Sequence, residues 1–218
     1  HVLQHELNDV EQAIGKYQAI LEFDSRHEKT IGALEDLLEG EDFRPQAATI
    51  LEPLYLEQNR PDKLIHLNEL LLEVAMEPAQ KSKLLRTIAM IHEQGNDLDH
   101  AFEYWGRLFR ENPADTEVEG QLMRISAGGG QWQRLVDLLD EAGADVYEPQ
   151  LRKRLILTVA QLYEVSLENV GAAIDTLKKG LDAVPSDLEL LAQLDRLLSD
   201  AKRHEDLAEV LRAQADAT

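Results

Sequence analysis

The sequence contains no cysteine among its 218 residues, which excludes disulfide bonds and thiolate metal sites. This absence does not fix the compartment, because both a reducing cytoplasm, which we favour, and a periplasm accept such a chain. Aromatic residues make up only 5% of the sequence, and β-branched residues are few beside Leu, Ala and Glu. This composition favours helices over sheets.

Basic residues are also scarce, with 22 Lys and Arg against 42 Asp and Glu and a formal net charge of −20. Such a field repels a phosphate backbone, so we predict no nucleic-acid partner. No apolar run approaches the roughly 18–20 residues that a membrane-spanning helix needs, so we predict no membrane insertion. The chain starts at His1 in mid-pattern, and we therefore expect it to be a piece of a longer protein.

Motifs for catalysis and for cofactor binding are missing as well. The sequence has no G-x-S-x-G nucleophile motif, no phosphate-binding P-loop and no G-x-G-x-x-G dinucleotide motif. Paired carboxylates are plentiful, but 42 acidic residues on helices produce such pairs without any catalytic purpose. We therefore predict no enzyme activity, no catalytic residue and no cofactor.

What the sequence does contain is an internal repeat. Four positions of one helical segment recur 72 positions later, pairing Ala101, Trp105, Phe109 and Pro113 with Ala173, Leu177, Leu181 and Pro185. Upstream of this segment the shift is 71, as from Leu84 to Leu155, so we predict one residue inserted in the turn that follows. A third copy opens the chain at a shift of 88, and its excess of 16 residues predicts an extra helix near residues 43–58.

Apolar residues recur within each copy at i, i+3 or i+4, and i+7, which indicates amphipathic helices. Helices joined by turns of two to five residues pack as antiparallel hairpins, and we count about twelve helices. Asn96 and Asp97 are predicted to cap one helix, while Asn112-Pro113 and Val184-Pro185 are predicted to end one helix and begin the next.

Two segments predict local irregularities in this pattern. Gly128, Gly129 and Gly130 are predicted to form a flexible turn between two helices, with a hinge as the sharper interpretation. Pro53 falls inside the extra helix and is predicted to bend it, because proline removes one helical hydrogen bond.

Two of the seven histidines, His92 and His100, flank a turn that is rich in acidic residues, a mixture that could bind zinc. The downstream copy has Tyr163 and Ala172 at the two positions. We therefore assign His92 to inter-helix packing and His100 to a helix flank, and we predict no metal site.

The repeat pattern resembles the tetratricopeptide repeat of long bacterial helical-repeat proteins. The resemblance rests on a small residue in the first helix (Ala89), an alanine early in the second (Ala101), a large apolar residue four positions later (Trp105) and a proline twelve after the alanine (Pro113). It implies an all-α, right-handed superhelical solenoid of antiparallel helix hairpins. We predict a single solenoid over residues 1–218 with super-repeats at about 1–60, 61–132 and 133–218; a related helical solenoid is the alternative.

The resemblance also implies a non-enzymatic scaffold that binds a protein or peptide through a concave groove or an edge. First helices line the groove in this family, which maps the partner-binding residues to Lys83, Arg86, Glu117, Gln121, Arg124, Arg154, Gln161, Gln193 and Arg196. Glu164 and Glu189 map to the same side. The arginines are expected either to pair with carboxylates of the partner or to pair with neighbouring glutamates.

A structural self-assembly module that stacks end to end is the alternative function, and it makes a homo-oligomer the alternative partner. Two features of the sequence favour it. The first helix is expected to lack a hairpin partner, and the last segment, AEVLRAQADAT, carries an apolar stripe with nothing following it.

Overall fold

The computed structural model describes residues 2–184 and 187–217, and in these ranges the chain forms helices and no strand. The predicted all-α fold with about twelve helices is confirmed. The α-helices are α1 (Val2–Phe23), α2 (Glu28–Glu39), α3 (Arg44–Glu57), α4 (Pro61–Val74), α5 (Pro78–Gln94), α6 (Leu98–Glu111), α7 (Thr116–Gly129), α8 (Trp132–Ala144), α9 (Pro149–Gln161), α10 (Val170–Ala183), α11 (Leu188–Asp200) and α12 (His204–Ala217). No helix in the described ranges has both the length and the apolar character that crossing a membrane requires.

The chain divides into two compact units, unit 1 (His1–Tyr104) and unit 2 (Trp105–Thr218). Helices that are consecutive in sequence pack against each other from α1 to α5 in unit 1 and from α7 to α12 in unit 2. The expectation that the first helix lacks a partner is wrong, because α1 packs against both α2 and α3. The single solenoid and its three super-repeats stay predictions.

Leucine-rich stripes of successive helices form the core of each unit. In unit 1, Leu34, Leu51 and Leu67 are completely buried at the centre of a cluster that joins α2, α3 and α4. In unit 2, Leu190 and Leu198 of α11 are buried in a cluster with residues of α9, α10 and α12. Each such side chain contributes about 1.5–3 kcal/mol to folding, so the amphipathic pattern of the sequence is the main source of stability.

Among the residues that the structure describes, five hairpins close on one residue in the left-handed conformation, with φ between 50° and 66°. These residues are Asn59, Asn96, Gly130, Glu168 and Lys202. Such a residue ends a helix in the manner of a Schellman motif, in which a following N–H bonds to the carbonyl five residues back. In the α5–α6 turn the N–H of Asp97 bonds to the carbonyl of His92 at 2.9 Å. Asn96 therefore terminates α5, and only Asp97 acts as a cap for α6.

The three-glycine segment is more helical than predicted. Gly128 and Gly129 lie inside α7, and only Gly130 takes the left-handed conformation that closes the α7–α8 hairpin. The N–H of Gln131 then donates to the carbonyl of Ser126 at 3.0 Å. The prediction of a turn spanning all three glycines is wrong, because Gly128 and Gly129 are the last two residues of α7. A hinge at this place stays a prediction.

A π-helix, Leu162–Ser166, follows α9 directly, and we call it the π-turn. Near the end of α5, the N–H of Gly95 donates to the carbonyl of Ile91, four residues back, at 3.1 Å. At the matching place after α9, the N–H of Leu167 donates to the carbonyl of Leu162, five residues back, at 3.0 Å. The inserted residue therefore widens the end of the helix, and its predicted location in the connecting turn is wrong.

Aspartate caps begin α7 and α11 in unit 2. Asp115 Oδ1 accepts hydrogen bonds from the second and third N–H groups that follow it, at 3.0 and 3.2 Å, and Asp187 Oδ1 does the same at 3.0 and 3.1 Å. Asn112-Pro113 ends α6 as predicted, but α7 begins three residues after Pro113. Pro185 lies outside the described residues.

Helix α3 occupies the segment that was predicted to be an extra helix. It continues through Pro53 to Glu57. Proline has no N–H to donate, so the carbonyl of Thr49, four residues before Pro53, loses its helical hydrogen bond. Both residues are exposed. Whether Pro53 bends the helix stays a prediction. The surface exposure of this turn allows water to hydrogen bond to the free carbonyl.

A buried arginine joins three helices of unit 1. Arg44, at the start of α3, is only 4% exposed. Its guanidinium donates to the carbonyl of Leu38 at 2.7 Å, to the carbonyl of Leu70 at 2.8 Å and to Glu73 at 3.1 Å. The carbonyl of Leu38 belongs to the last turn of α2, where helix carbonyls lack internal partners and a positive charge is favoured, and that of Leu70 lies just before the last turn of α4.

Helices α9 and α10 approach each other closely at Gly180. A Cβ atom at this position would lie 2.6 Å from Cγ2 of Ile156, closer than real side chains allow. Glycine is therefore required here for packing. The close approach lets α9 and the π-turn pack directly against α10.

Candidate functional site

A cleft in unit 2 brings together residues that were predicted to line the groove. It encloses ≈ 500 Å³ between α9, the π-turn and α11. Its lining residues are Leu157, Ala160, Gln161, Glu164, Val165, Leu177, Glu189, Gln193, Arg196 and Leu197. The polar members of this set were all mapped to the groove side, and the others are apolar. We call this site the α9–α11 cleft.

The floor of the α9–α11 cleft is apolar. Leu157, Ala160, Leu177 and Leu197 belong to three different helices and supply this floor. Val165 of the π-turn also lines the cleft, and it is 66% exposed. An exposed valine beside an apolar floor is the kind of surface that binds an apolar side chain of a partner.

Charged and amide groups form the rim of the cleft. Arg196 donates to both carboxylate oxygens of Glu164, each at 2.7 Å, and its Nε donates to Gln193 at 3.2 Å. The hydrogen bond from Arg196 lowers the pKa of the Glu164 carboxyl, although partial burial opposes the shift, and the same bond raises the pKa of Arg196. The glutamate and arginine are thus fixed as an ion pair across the cleft.

The π-turn determines which side chains reach this rim. Glu164 and Val165 both lie in the π-turn, where one extra residue changes the direction of the side chains relative to a regular helix. π-Turns of this kind are rare and often lie at functional sites. Sequence reasoning found Glu164, but it did not find Val165, because a repeat pattern does not show that the helix widens here.

A lysine anchors one end of the cleft. Lys153 of α9 lies 3.0 Å from the carboxylate of Glu189 and 3.5 Å from that of Asp187, the cap of α11. The hydrogen bond to Glu189 raises the pKa of Lys153, and some desolvation opposes this effect. Glu189, one of the residues on the mapped side, is therefore paired within the protein.

Arg154, another predicted groove residue, connects α9 to α7. Its guanidinium lies 3.3 Å from the carboxylate of Glu119 and donates to the carbonyl of Pro113 at 2.9 Å. Glu119 is itself buried, and Thr158 donates to it at 3.5 Å. Arg154 therefore has partners within unit 2 that the sequence did not indicate, because Glu119 was not among the mapped residues.

The remaining mapped residues of unit 2 lie on α7. Arg124 donates to the side chain of Gln121 at 3.1 and 2.7 Å, the same arrangement that Arg196 and Gln193 show on α11. Glu117 is exposed near the start of the helix. Two copies of the repeat thus reproduce the same bond between an arginine and a glutamine three residues before it.

In unit 1, the two mapped residues lie on α5. Lys83 is exposed, and Arg86 is half-buried. Thr87 Oγ1 donates to the carbonyl of Lys83 at 3.0 Å. These residues stay predicted partner contacts.

The turn between α5 and α6 holds a second polar cluster, in unit 1. Asp97 Oδ2 lies 3.2 Å from Nδ1 of His92 and 2.8 Å from Nδ1 of His100. Burial raises the pKa of the Asp97 carboxyl, but hydrogen bonds from the His100 backbone and from the two imidazoles outweigh this effect and lower it. His92 also stacks on Tyr104, as its predicted packing role requires.

Comparisons with known proteins give matches at the level of solved structures only. No protein-family model matches the chain, and no curated protein matches it in sequence. Solved structures of helical proteins do match over most of the chain, and the three described below are all distant in sequence.

Three of these structures illustrate the similarity. MamA from Desulfovibrio magneticus RS-1 is 11% identical, with 80% of this chain and 94% of that chain covered and a TM-score of 0.38. The C-terminal part of a TPR repeat-containing protein from Cytophaga hutchinsonii is 14% identical, with 93% and 78% covered and a TM-score of 0.40. The thermophilic TPR protein TTC0263 from Thermus thermophilus is 19% identical, with 86% and 98% covered and a TM-score of 0.34.

Two of these three structures are described as TPR proteins. At such identities and TM-scores the likeness carries no inference about function. The fold is instead established by the successive helix hairpins of the chain itself.

Proposed function

We propose that the chain is a non-enzymatic protein-interaction scaffold that binds an extended peptide segment of a partner protein in the α9–α11 cleft. The observation that carries this proposal is the composition of the cleft. An apolar floor with an exposed valine is surrounded by glutamine, glutamate and arginine side chains. Binding sites for peptides combine an apolar anchor pocket with a small number of polar groups in this way.

The occupant that fits best carries one apolar anchor residue. The floor between Leu157 and Leu197 offers no charge to a partner side chain, whereas the amides of Gln161 and Gln193 can donate to and accept from a peptide backbone. Arg196 already donates to Glu164 and Gln193, so the anchor residue, and not a partner carboxylate, supplies most of the affinity.

The other mapped residues of unit 2 extend the proposed interface. Gln121, Arg124 and Glu117 lie on α7 of the same unit, and Arg154 connects that helix to α9. Lys83 and Arg86 are proposed contacts on unit 1. Repeat proteins bind long segments because each repeat adds a few such contacts, so several weak sites suffice without a catalytic pocket.

The test is peptide selection followed by a binding measurement. Peptides selected from a random display library on the wild-type chain are labelled, and their affinities are measured by fluorescence polarisation. Val165→Glu introduces a charge beside the apolar floor and should weaken binding at least about tenfold. Leu188→Glu is the matched control, because Leu188 is 53% exposed on α11 but does not line the cleft.

Equal binding by both variants would place the peptide elsewhere and contradict the proposal, as would failure to select any peptide. Sedimentation velocity of the wild type at several concentrations tests the alternative function. If the measured mass of the wild type increases with concentration and that of Val165→Glu stays at the monomer value, self-assembly through this cleft is supported instead.

A further inference from the structure

The histidines of the α5–α6 turn point to a second site that is independent of the proposed peptide cleft. One ligand atom each of His92, Asp97 and His100 lies within 4.8 Å of the others. We propose that these three side chains bind a Zn²⁺ ion. The site would supply three protein ligands and leave one position for water, an arrangement that zinc accepts readily.

The distances in the cluster suit a tetrahedral metal. Ligand atoms about 2.0–2.2 Å from a tetrahedral zinc ion lie roughly 3.3 Å from one another. Asp97 Oδ2 lies 3.2 Å from Nδ1 of His92 and 2.8 Å from Nδ1 of His100, so small movements of exposed side chains create the required spacing. The two imidazole rings are stacked with centroids 5.0 Å apart, and Nδ1 of each ring lies within hydrogen-bond distance of the same carboxylate oxygen.

The backbone holds the cluster in place before any metal binds. The N–H of Asp97 donates to the carbonyl of His92 at 2.9 Å, which joins two of the ligands through the closing bond of the hairpin. Asp97 Oδ1 accepts from the N–H of His100 at 3.3 Å, so the second carboxylate oxygen is directed to the rings. Preorganisation of this kind reduces the entropy cost of collecting three ligands.

Neighbouring aromatic groups restrain the least exposed ligand. His92 is 12% exposed, and its ring stacks on that of Tyr104 at 5.6 Å between centroids. The hydroxyl of Tyr104 donates to Glu69, so the stacked ring is itself held. Support of ligands by a surrounding shell of packed and hydrogen-bonded groups is typical of metal sites.

The other two ligands leave the site open to solvent. The side chain of His100 is 60% exposed, and that of Asp97 is 41% exposed. A metal ion can therefore enter from water and keep a water molecule as its fourth ligand. The downstream copy of the hairpin has Tyr163, Asn169 and Ala172 at the three positions, so the ligand set belongs to one hairpin only.

The experiment is calorimetric titration of the full chain with Zn²⁺ at neutral pH. Two variants import the downstream residues: His100→Ala removes one ligand, and Asp97→Asn removes the carboxylate while keeping a good helix cap. Both should weaken zinc binding at least about tenfold, because each variant loses one metal–ligand bond. His66→Ala is the matched control, because His66 is an exposed histidine that pairs with a single glutamate, Glu39.

Thermal unfolding with and without Zn²⁺ gives a second readout, because a ligand that binds only the folded chain raises its Tm. The wild type and His66→Ala should show equal increases, and the other two variants should show smaller ones. Zinc binding of equal affinity in all four proteins, or none in the wild type, would overturn the proposal. Circular dichroism verifies that each variant keeps its helices.

Discussion

The α5–α6 and α9–α10 hairpins share one sequence pattern, but they end their first helices differently. In the α5–α6 hairpin, the N–H of Asp97 bonds to the carbonyl of His92, five residues back, at 2.9 Å. In the α9–α10 hairpin, the N–H of Asn169 bonds to the carbonyl of Tyr163, six residues back, at 2.7 Å. The same two positions of the repeat are thus joined in both hairpins, with one more residue between them in the second.

The start of the second helix is the same in both hairpins. Asp97 Oδ1 accepts from the N–H of His100, and Asn169 Oδ1 accepts from the N–H of Ala172, each three residues later. The comparison teaches that the cap and the closing bond define the hairpin. The number of residues in the last helical turn before the cap can differ from one hairpin to the other. It also shows that a change of length brings new side chains to the surface.

The largest predicted effect is a difference in stability between two variants, each of which lacks one residue of one hairpin. Deleting Val165 should convert the π-turn to a regular turn at little or no cost, because the closing bond then spans five residues. Deleting Gln94 from the end of α5 should lower the free energy of unfolding by at least about 2 kcal/mol, because the closing bond and the cap are both lost. Thermal unfolding followed by circular dichroism measures both; equal losses would contradict the comparison.

A smaller effect is predicted for exchange of the left-handed residues. Asn96 and Glu168 have φ values of 58° and 51° at matching positions. Asparagine tolerates this conformation better than glutamate, so Glu168→Asn should stabilise and Asn96→Glu should destabilise, each by roughly 0.5–1 kcal/mol. Chemical denaturation of the two variants and of the double exchange measures this. Changes of the same sign in both single variants would show that side-chain contacts, and not φ, dominate.

The smallest effect concerns the ion pair that the π-turn presents. Because Glu164 has a lowered pKa in the folded chain, its contribution is present above the unfolded value and is lost as the pH falls through the folded value, below the ordinary 4.5. Arg196 is 46% exposed, so screening limits the cost of Glu164→Gln to about 0.5 kcal/mol at neutral pH.

The measurement for this prediction is the difference in Tm between wild type and Glu164→Gln as a function of pH. The difference should decrease toward zero as the pH falls below the ordinary carboxyl value of 4.5, because the lowered pKa of Glu164 delays protonation in the folded chain. Glu52→Gln is the control, since Glu52 is an exposed glutamate in the middle of α3. A difference that does not change with pH would mean that shape, and not charge, accounts for the effect.

Helix positions were predictable because they depend on local sequence, and the repeat located the helices. The capping roles of Asp115 and Asp187 on α7 and α11 were not predicted, although the two residues occupy matching positions of the repeat. The change of shift from 71 to 72 revealed the inserted residue. Its form could not be predicted, because counting residues does not distinguish a longer turn from a wider helix; that depends on which carbonyl accepts each N–H.

The candidate sites were predictable only in part, for reasons that lie in tertiary packing. Gln161, Gln193 and Arg196 were mapped from the repeat, and the structure brings them to one cleft. The partners of Arg154 are a buried glutamate and a backbone carbonyl, which no pattern marks. The His92 cluster was assigned to packing because the other copy lacks its histidines, an argument that overlooks features present in one copy only.

The buried Arg44 has a consequence for how the chain folds during synthesis. Its guanidinium needs the carbonyl of Leu38, which precedes it, and the carbonyl of Leu70, which leaves the ribosome later. Burying the arginine before Leu70 and Glu73 are available would leave its Nη1 without acceptors, at a cost of about 1–3 kcal/mol or more for a charged group. We therefore expect α2 and α3 to complete their packing around Arg44 only after α4 has emerged from the ribosome.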